Sequence, residues 1–220
     1  PHHIVDRKLE GSAMSIVVYG ADYSVYTRIV RMALAIKGTE YQFEPVDIFS
    51  PDSLPDGYAD EHPFQKVPAL RHDAFHLFET GAICRYIDEV FPAPSLFSNN
   101  AQENAHINQI VSIMDNYVYR CWVWDIAVER LDQDQPDETK IEAALPRART
   151  CLASIEALTG HGPGLIGTTI TLADLYSIAM MHYFVASPEG ASMLIDYPRV
   201  NTWWHTLSVS DWAINTAPPG

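Results

Sequence analysis

The chain has 220 residues, 47% hydrophobic and 19% charged, with 28 acidic against 14 basic side chains and a formal net charge of −14. Such a composition buries a real core and excludes a disordered acidic tail. The acidity argues against nucleic acid and anionic membranes as partners, since both demand clustered Lys and Arg.

The length fits one large domain or two small ones. No apolar run reaches the roughly 18 residues that a bilayer span needs. Cys84, Cys121 and Cys151 are odd in number and scattered, so they form no disulfide framework, and a reducing, cytoplasmic setting is expected. Residues 1–13 open Pro1-His2-His3 and read as the remnant of an expression tag before Met14. No apolar h-region precedes a small-residue cleavage site, which argues against a signal peptide. Both proposed halves share the acidity: residues 14–92 carry 6 basic and 12 acidic side chains, and residues 93–220 carry 6 and 14.

Ile16 to Tyr19 is a β-branched run ending at Gly20 and predicts a buried strand. Ile29, Val30, Ala33, Leu34 and Ile36 recur at helical spacing, and Lys37-Gly38 supplies a stop. Tyr41 to Glu44 alternates apolar and polar, a second strand, so the start reads strand, helix, strand. Residues 49–65 lack periodicity and read as loop. Val67 to Leu70 opens a third strand, Asp73-Ala74 lies in a turn, and Phe75 to Phe78 is a fourth. A helix from Thr80 to Phe91 is stopped by Pro92, and Pro92 to Ser95 lies in a linker. The remainder reads as helical: a long segment over 101–131, another over 139–158 that Pro146 kinks or breaks, a third from Thr171, and a short last one around Trp203. Thr171-Leu172-Ala173-Asp174 has the spacing of a capping box, with Asp in the Glu/Gln position.

A β-α-β then β-β-α half followed by an all-helical half resembles the glutathione S-transferase superfamily, in its serine-type cytosolic form. The residues that carry the resemblance span nearly the whole chain after Met14. They are Ser24 to Arg31 at the first helix, Val67-Pro68-Ala69-Leu70, Glu79-Thr80-Gly81-Ala82-Ile83, and Thr171 to Asp174. The resemblance implies a thioredoxin-like glutathione-binding domain over 14–91, a linker over 92–98 and a helical domain over 99–220. It also implies glutathione as co-substrate, no metal, a small electrophile as second substrate and a homodimer.

Such an enzyme must turn a thiol of pKa about 9 into a thiolate at neutral pH. A hydroxyl aimed at the sulfur does this by hydrogen bonding to the charged form, and a helix N-terminus adds to it. The resemblance places that hydroxyl on Ser24, as a donor and not as a nucleophile. Read from residue types alone, Ser24 is first of all a helix cap, and the phenols of Tyr23 and Tyr26 compete for the donor role. The resemblance further implies a cis peptide at Val67-Pro68 that offers backbone groups to the cysteinyl part. Thr80 would hold the γ-glutamyl carboxylate, Glu79 the neighbouring ammonium and Lys66 the glycyl carboxylate. Asp47, Asp52, Asp56, Asp60 and Glu61 make the approach to Lys66 locally acidic, with His62 and Gln65 as helpers.

For the second substrate, Tyr117, Arg120 and Trp124 are spaced three and four apart and share a helical face, with Tyr119 and Trp122 pointing elsewhere. That pocket would suit a flat electrophile with a negative charge or nitro group. The same aromatics serve equally well in a domain or dimer interface. Positions 24 and 27 hold Ser and Thr, so a mixed-disulfide mechanism lacks its cysteine. Cys84 is read as core. The histidines show no metal spacing, and His72 and His76 straddle a turn and are expected in solvent. The expected activity is conjugation of the glutathione thiolate to a hydrophobic or aromatic electrophile. The alternatives are another glutathione-dependent reaction (dehalogenation, isomerisation, ether cleavage) or a transferase-like scaffold without turnover.

Overall fold

Residues 15–50 and 54–218 are described by the computed structural model. The tag reading of 1–13 and the position of Asp52 lie outside them. β1 (Ile16–Gly20) is buried along its whole length, as its unbroken apolar run requires. It pairs in parallel with β2 (Gln42–Pro45) and antiparallel with β3 (Ala69–His72), which pairs with β4 (Phe75–Phe78), giving the order β2-β1-β3-β4. Between β1 and β2 runs α1 (Val25–Ile36). It is capped by Ser24 and closed by Lys37, with Gly38 at φ +63° taking the left-handed position. β3 begins at Ala69, two residues later than its apolar run suggests, because Val67-Pro68 is a cis peptide and proline has no N–H for a ladder. Among its described residues, the segment 49–65 contains one short helix, α2 (Tyr58–Glu61), too brief to leave a periodic signal in the sequence.

α3 (Thr80–Val90) closes this half of the chain. The 92–98 connection is not a free tether. Leu96 is buried, its N–H donates to Asp88 Oδ1 at 2.7 Å, and its carbonyl accepts from Leu172 N–H at 2.9 Å. The helical half then comprises α4 (Ala101–Ile113), a π-helical segment (Met114–Val128), α5 (Glu129–Leu131), α6 (Glu138–Leu158), α7 (Leu172–Ala186), α8 (Pro188–Leu194), α9 (Pro198–Leu207) and α10 (Asp211–Ile214). Pro146 sits inside an uninterrupted α6 and does not break it. His72, expected in solvent, is buried. Its Nδ1 is hydrogen-bonded to Tyr86 Oη at 2.8 Å and its ring stacks on Phe91, because α3 covers that face of the hairpin.

α7 is buried on every side from Leu172 to Met181, which is why its sequence shows little amphipathic signal. Its entry is fixed by the Thr171/Asp174 capping box. Asp174 does more than cap. Its wholly buried carboxylate accepts from Leu165 N–H at 2.7 Å, Thr171 N–H at 2.7 Å, Thr171 Oγ1 at 3.0 Å and Trp203 Nε1 at 2.8 Å. Three stretches of chain therefore converge on one side chain. Burial pushes this carboxyl up, and the four donors act against that shift.

Further along α7, His182 is pushed down to about 4, first by burial and then by the Arg28 guanidinium. Arg28 is itself buried and anchored by one bond to Ala213 O at 2.9 Å.

An Asp174→Asn amide keeps one acceptor oxygen and sets an NH2 against facing N–H donors. This substitution should cost about 2–4 kcal/mol, lowering the melting temperature by roughly 6–12 °C. A shift within 1 °C or so would contradict the assigned network. The folded protein keeps His182 neutral, while the unfolded chain takes up a proton below the ordinary 6.5. The stability contributed by neutral His182 is present above pH 6.5 and is lost as pH falls toward about 4. His182→Phe should flatten denaturation midpoints across that window, and an unchanged slope would refute the assignment.

Candidate active site

A cleft of about 1070 Å³ opens between the sheet half and the helical half. Two helix N-termini converge on it: Ser24, Val25 and Tyr26 at the start of α1, and Glu79, Thr80 and Gly81 at the start of α3. Neither helix carries an acidic residue in its first turn, so their free N–H groups and positive dipole ends remain available to an anion. Val67, Pro68 and Lys66 form the floor beside them. Glu79 holds φ at +73°, a conformation a non-glycine residue adopts only where its surroundings impose it, and this one lies on the cleft wall.

The three hydroxyls at the start of α1 differ in what is left for a ligand. Tyr23 Oη donates to Asp47 Oδ1 at 3.0 Å, and burial together with that bond pushes the phenol up to about 12. Tyr26 Oη donates to Asp115 Oδ1 at 3.0 Å and is raised further still, mainly by burial. Ser24 Oγ accepts from Thr27 N–H at 3.2 Å, which is its cap bond. A hydroxyl that accepts still owns its proton, and no acceptor among the described residues takes it. Capping the helix and donating to a ligand are therefore compatible on Ser24. Both phenols have already committed their protons to carboxylates.

Among the described residues, the acids that crowd the sequence before Lys66 stay out of the cleft lining. Asp47 is held by Tyr23 and by Phe49 N–H. Glu61 pairs with His76 Nδ1 at 2.7 Å and Arg71 Nη1 at 3.5 Å, and accepts from Tyr19 Oη. Asp47, Asp56, Asp60 and Glu61 all lie outside the cleft lining, whereas Lys66 lies in it and pairs with no carboxylate among the described residues. His62 lines the same region, buried under Phe64 and Phe78, and burial lowers its pKa so that the ring is neutral.

The helical wall departs from the expected face. Trp124 lines the cleft, but Tyr117 and Arg120 do not; they border a separate hollow with Cys121, Arg147 and Cys151. The cause is the π-helical segment. Its i→i+5 bonds widen the turn beyond four residues, so seven residues make roughly one and a half turns instead of two. Tyr117 and Trp124 then point to opposite sides. The residues of this segment that face the cleft are Asp115, Tyr119, Val123, Trp124 and Val128, each four or five from the next with Val123 and Trp124 side by side. Tyr119, expected elsewhere, thus lines the cleft, while Trp122 is buried and stacks on Phe184 at 4.5 Å. Arg120 is spent on Asp125 at 2.9 Å, which Arg147 also reaches at 3.0 Å. From α7, Tyr176 and Tyr183 complete the wall, and Phe49 stands at the mouth, 63% exposed. Asp115 and Tyr119 stand four apart and share a face at an α-helical period as well; the wider turn brings Trp124 in beside them.

The three cysteines are free and buried, and Cys84 and Cys121 are pushed up by burial, to about 12 for Cys121, which leaves poor nucleophiles. Among the described residues, no group of three or more His, Cys, Asp or Glu side chains could hold a metal ion.

The sequence matches the family model for the glutathione S-transferase N-terminal domain over residues 14–89 and that for the C-terminal domain over residues 111–211. It is 29% identical over 200 residues to glutathione S-transferase F13 of Arabidopsis thaliana, covering 88% of this chain and 91% of that one. Against glutathione S-transferase 1 of Triticum aestivum it is 27% identical over 207 residues, covering 87% and 89%. The crystal structure of glutathione transferase F7 from Populus trichocarpa superposes with a TM-score of 0.79 at 26% identity, over 91% of this chain and 97% of that one. With both family domains present in order and the cleft formed between them, the chain belongs to the glutathione S-transferase family.

Proposed function

We propose that the protein conjugates glutathione to a hydrophobic or aromatic electrophile, with Ser24 as the group that stabilises the thiolate. The observation that carries this reading is the Ser24 hydroxyl, which lies on the cleft wall at the N-terminus of α1 with its proton uncommitted. In this account residues 14–91 form the glutathione-binding domain, 92–98 the connection and 99–220 the helical domain that receives the electrophile.

Glutathione lies with its sulfur toward Ser24. The backbone of Val67 at the cis peptide faces the cysteinyl part, and Pro68 holds that peptide in shape. The N-terminus of α3 with Thr80 receives the γ-glutamyl carboxylate, and Glu79 the ammonium beside it. Lys66, free of carboxylate partners, receives the glycyl carboxylate. The thiol proton leaves to solvent, and the Ser24 O–H donates to the sulfur anion, an interaction worth about 1.5–3 kcal/mol in favour of the charged form. The α1 dipole adds to it. The thiolate then attacks an electrophile resting against Tyr119 and Trp124. An acidic approach to Lys66 would favour a scaffold without turnover, but Asp47, Asp56, Asp60 and Glu61 all lie outside the cleft lining.

The reading extends to a homodimer, which the family resemblance implies, and to a cytoplasmic setting. Three free cysteines support the latter, and among the described residues no helix is long and apolar enough to cross a membrane.

Ser24→Ala should lower kcat/KM for a chlorodinitrobenzene about tenfold to a hundredfold at neutral pH. Removing the donor raises the thiol pKa, so the loss should shrink as pH rises and free thiolate becomes abundant. Tyr23→Phe should stay within about threefold of wild type. The opposite pattern, Ser24→Ala active and Tyr23→Phe inactive, would reassign the donor.

A further inference from the structure

The helical side of the cleft is not electrically neutral. Three acids line the cleft, Glu79, Asp115 and Asp132, and Lys66 on the sheet side is the one Lys or Arg among the described lining residues. Glu79 is assigned above to glutathione. Asp115 sits on the π-helical segment, where the electrophile must rest, and Asp132 follows just beyond α5.

Around Asp115 the aromatic rings form a continuous chain. Tyr26 meets Tyr119 at 4.8 Å between centroids, Tyr119 meets Trp124 at 6.4 Å, Trp124 meets Phe49 at 6.3 Å, and Phe49 meets Tyr23 at 5.4 Å. Tyr26 Oη donates to Asp115 Oδ1, which fixes the carboxylate against the ring wall; burial pushes this carboxyl up, the Tyr26 bond acts against that shift, and the Glu79 charge adds to it. One carboxylate oxygen remains for a ligand. The rings meet tilted or edge-on, and a ring wall beside a carboxylate suits organic cations, since ring quadrupole and carboxylate attract the same charge. The net charge of −14 draws cations toward the cleft as well.

We infer that the electrophile site selects substrates bearing an organic cation, such as an alkylammonium group, with Asp115 and the Tyr26–Tyr119–Trp124 ring wall as the specificity determinants. This inference rests on the glutathione-conjugating reading above and reverses the sign of the electrophile expected from Arg120. The reaction is ordinary substitution: the glutathione sulfur bonds to the ring carbon carrying chlorine, and chloride leaves with the electron pair of the broken C–Cl bond. The cation is bound away from the reacting carbon and is unchanged.

The test uses three chloronitrobenzenes carrying, para to chlorine, a trimethylammoniomethyl, a methoxymethyl or a carboxylatomethyl group. Each kcat/KM is divided by the probe's uncatalysed rate with free glutathione. The cationic probe should exceed the neutral one by about tenfold, and the anionic probe should fall about tenfold below it. Asp115→Asn should cut the cation-to-neutral ratio by at least about fivefold. Should that variant misfold, rising salt should narrow the same ratio in the unaltered protein. Thiolate absorbance of bound glutathione in the same samples separates two failures. Bound thiolate with equal normalised rates, or with the anion preferred, overturns this inference alone. No bound thiolate at millimolar glutathione overturns the conjugating reading beneath it as well.

Discussion

The carboxylate of Asp174 is the point on which the arrangement of the two halves depends. It gathers the loop at Leu165, the start of α7 and Trp203 of α9 around one buried acceptor. Each of those donors would be left unsatisfied without it, at a cost of about 1–3 kcal/mol apiece. α7 so fixed supports the site directly. Its Tyr183 hydroxyl donates to the backbone carbonyl of Tyr23, one residue before Ser24, and its Tyr176 lines the cleft. At the entry to α7, the Leu172 N–H donates to Leu96 in the connection between the halves. The placement of Ser24 relative to the helical wall therefore traces back to a carboxylate outside the cleft lining.

Charge is divided within the cleft in a way its chemistry requires. The sheet side offers two helix N-termini and Lys66, all suited to the carboxylates of a peptide-like anion. The helical side offers Asp115 and a run of rings, which repel an anion and accept an apolar or cationic body. In the proposed reading, a thiolate formed at the boundary meets an electrophile held on the opposite side. Tyr26 belongs to both sides: it sits in the first turn of α1 and binds Asp115 across the cleft. Its phenol is better understood as a strut than as an acid.

Much of the fold was legible in the sequence, and the reasons are local. The β-branched run at Ile16, the amphipathic period of α1, the turn at Asp73-Ala74 and the Thr171/Asp174 box each report a short-range preference, and each reappears in the structure. The candidate site divides along the same line. Ser24, Lys66, Val67-Pro68 and Glu79-Thr80 stand at element boundaries marked by their own chemistry, and all line the cleft. Tyr117 and Arg120 were assigned by assuming a period, and the π-helical turn changes that period without leaving a mark in residue types. His72 likewise reads as a turn histidine until α3 is laid across it. The direction of Asp47 and Glu61 depends on Tyr23, Arg71 and His76, partners from other segments that no local pattern identifies.

The central claim is that a neutral hydroxyl at a helix N-terminus acidifies the bound thiol. Ultraviolet titration of glutathione bound to the unaltered protein measures this without any turnover. The thiolate band should rise with a midpoint about one to two pH units below the value of about 9 for the free thiol, the equivalent of one charge-assisted hydrogen bond. A bound thiol that titrates together with free glutathione would contradict the account.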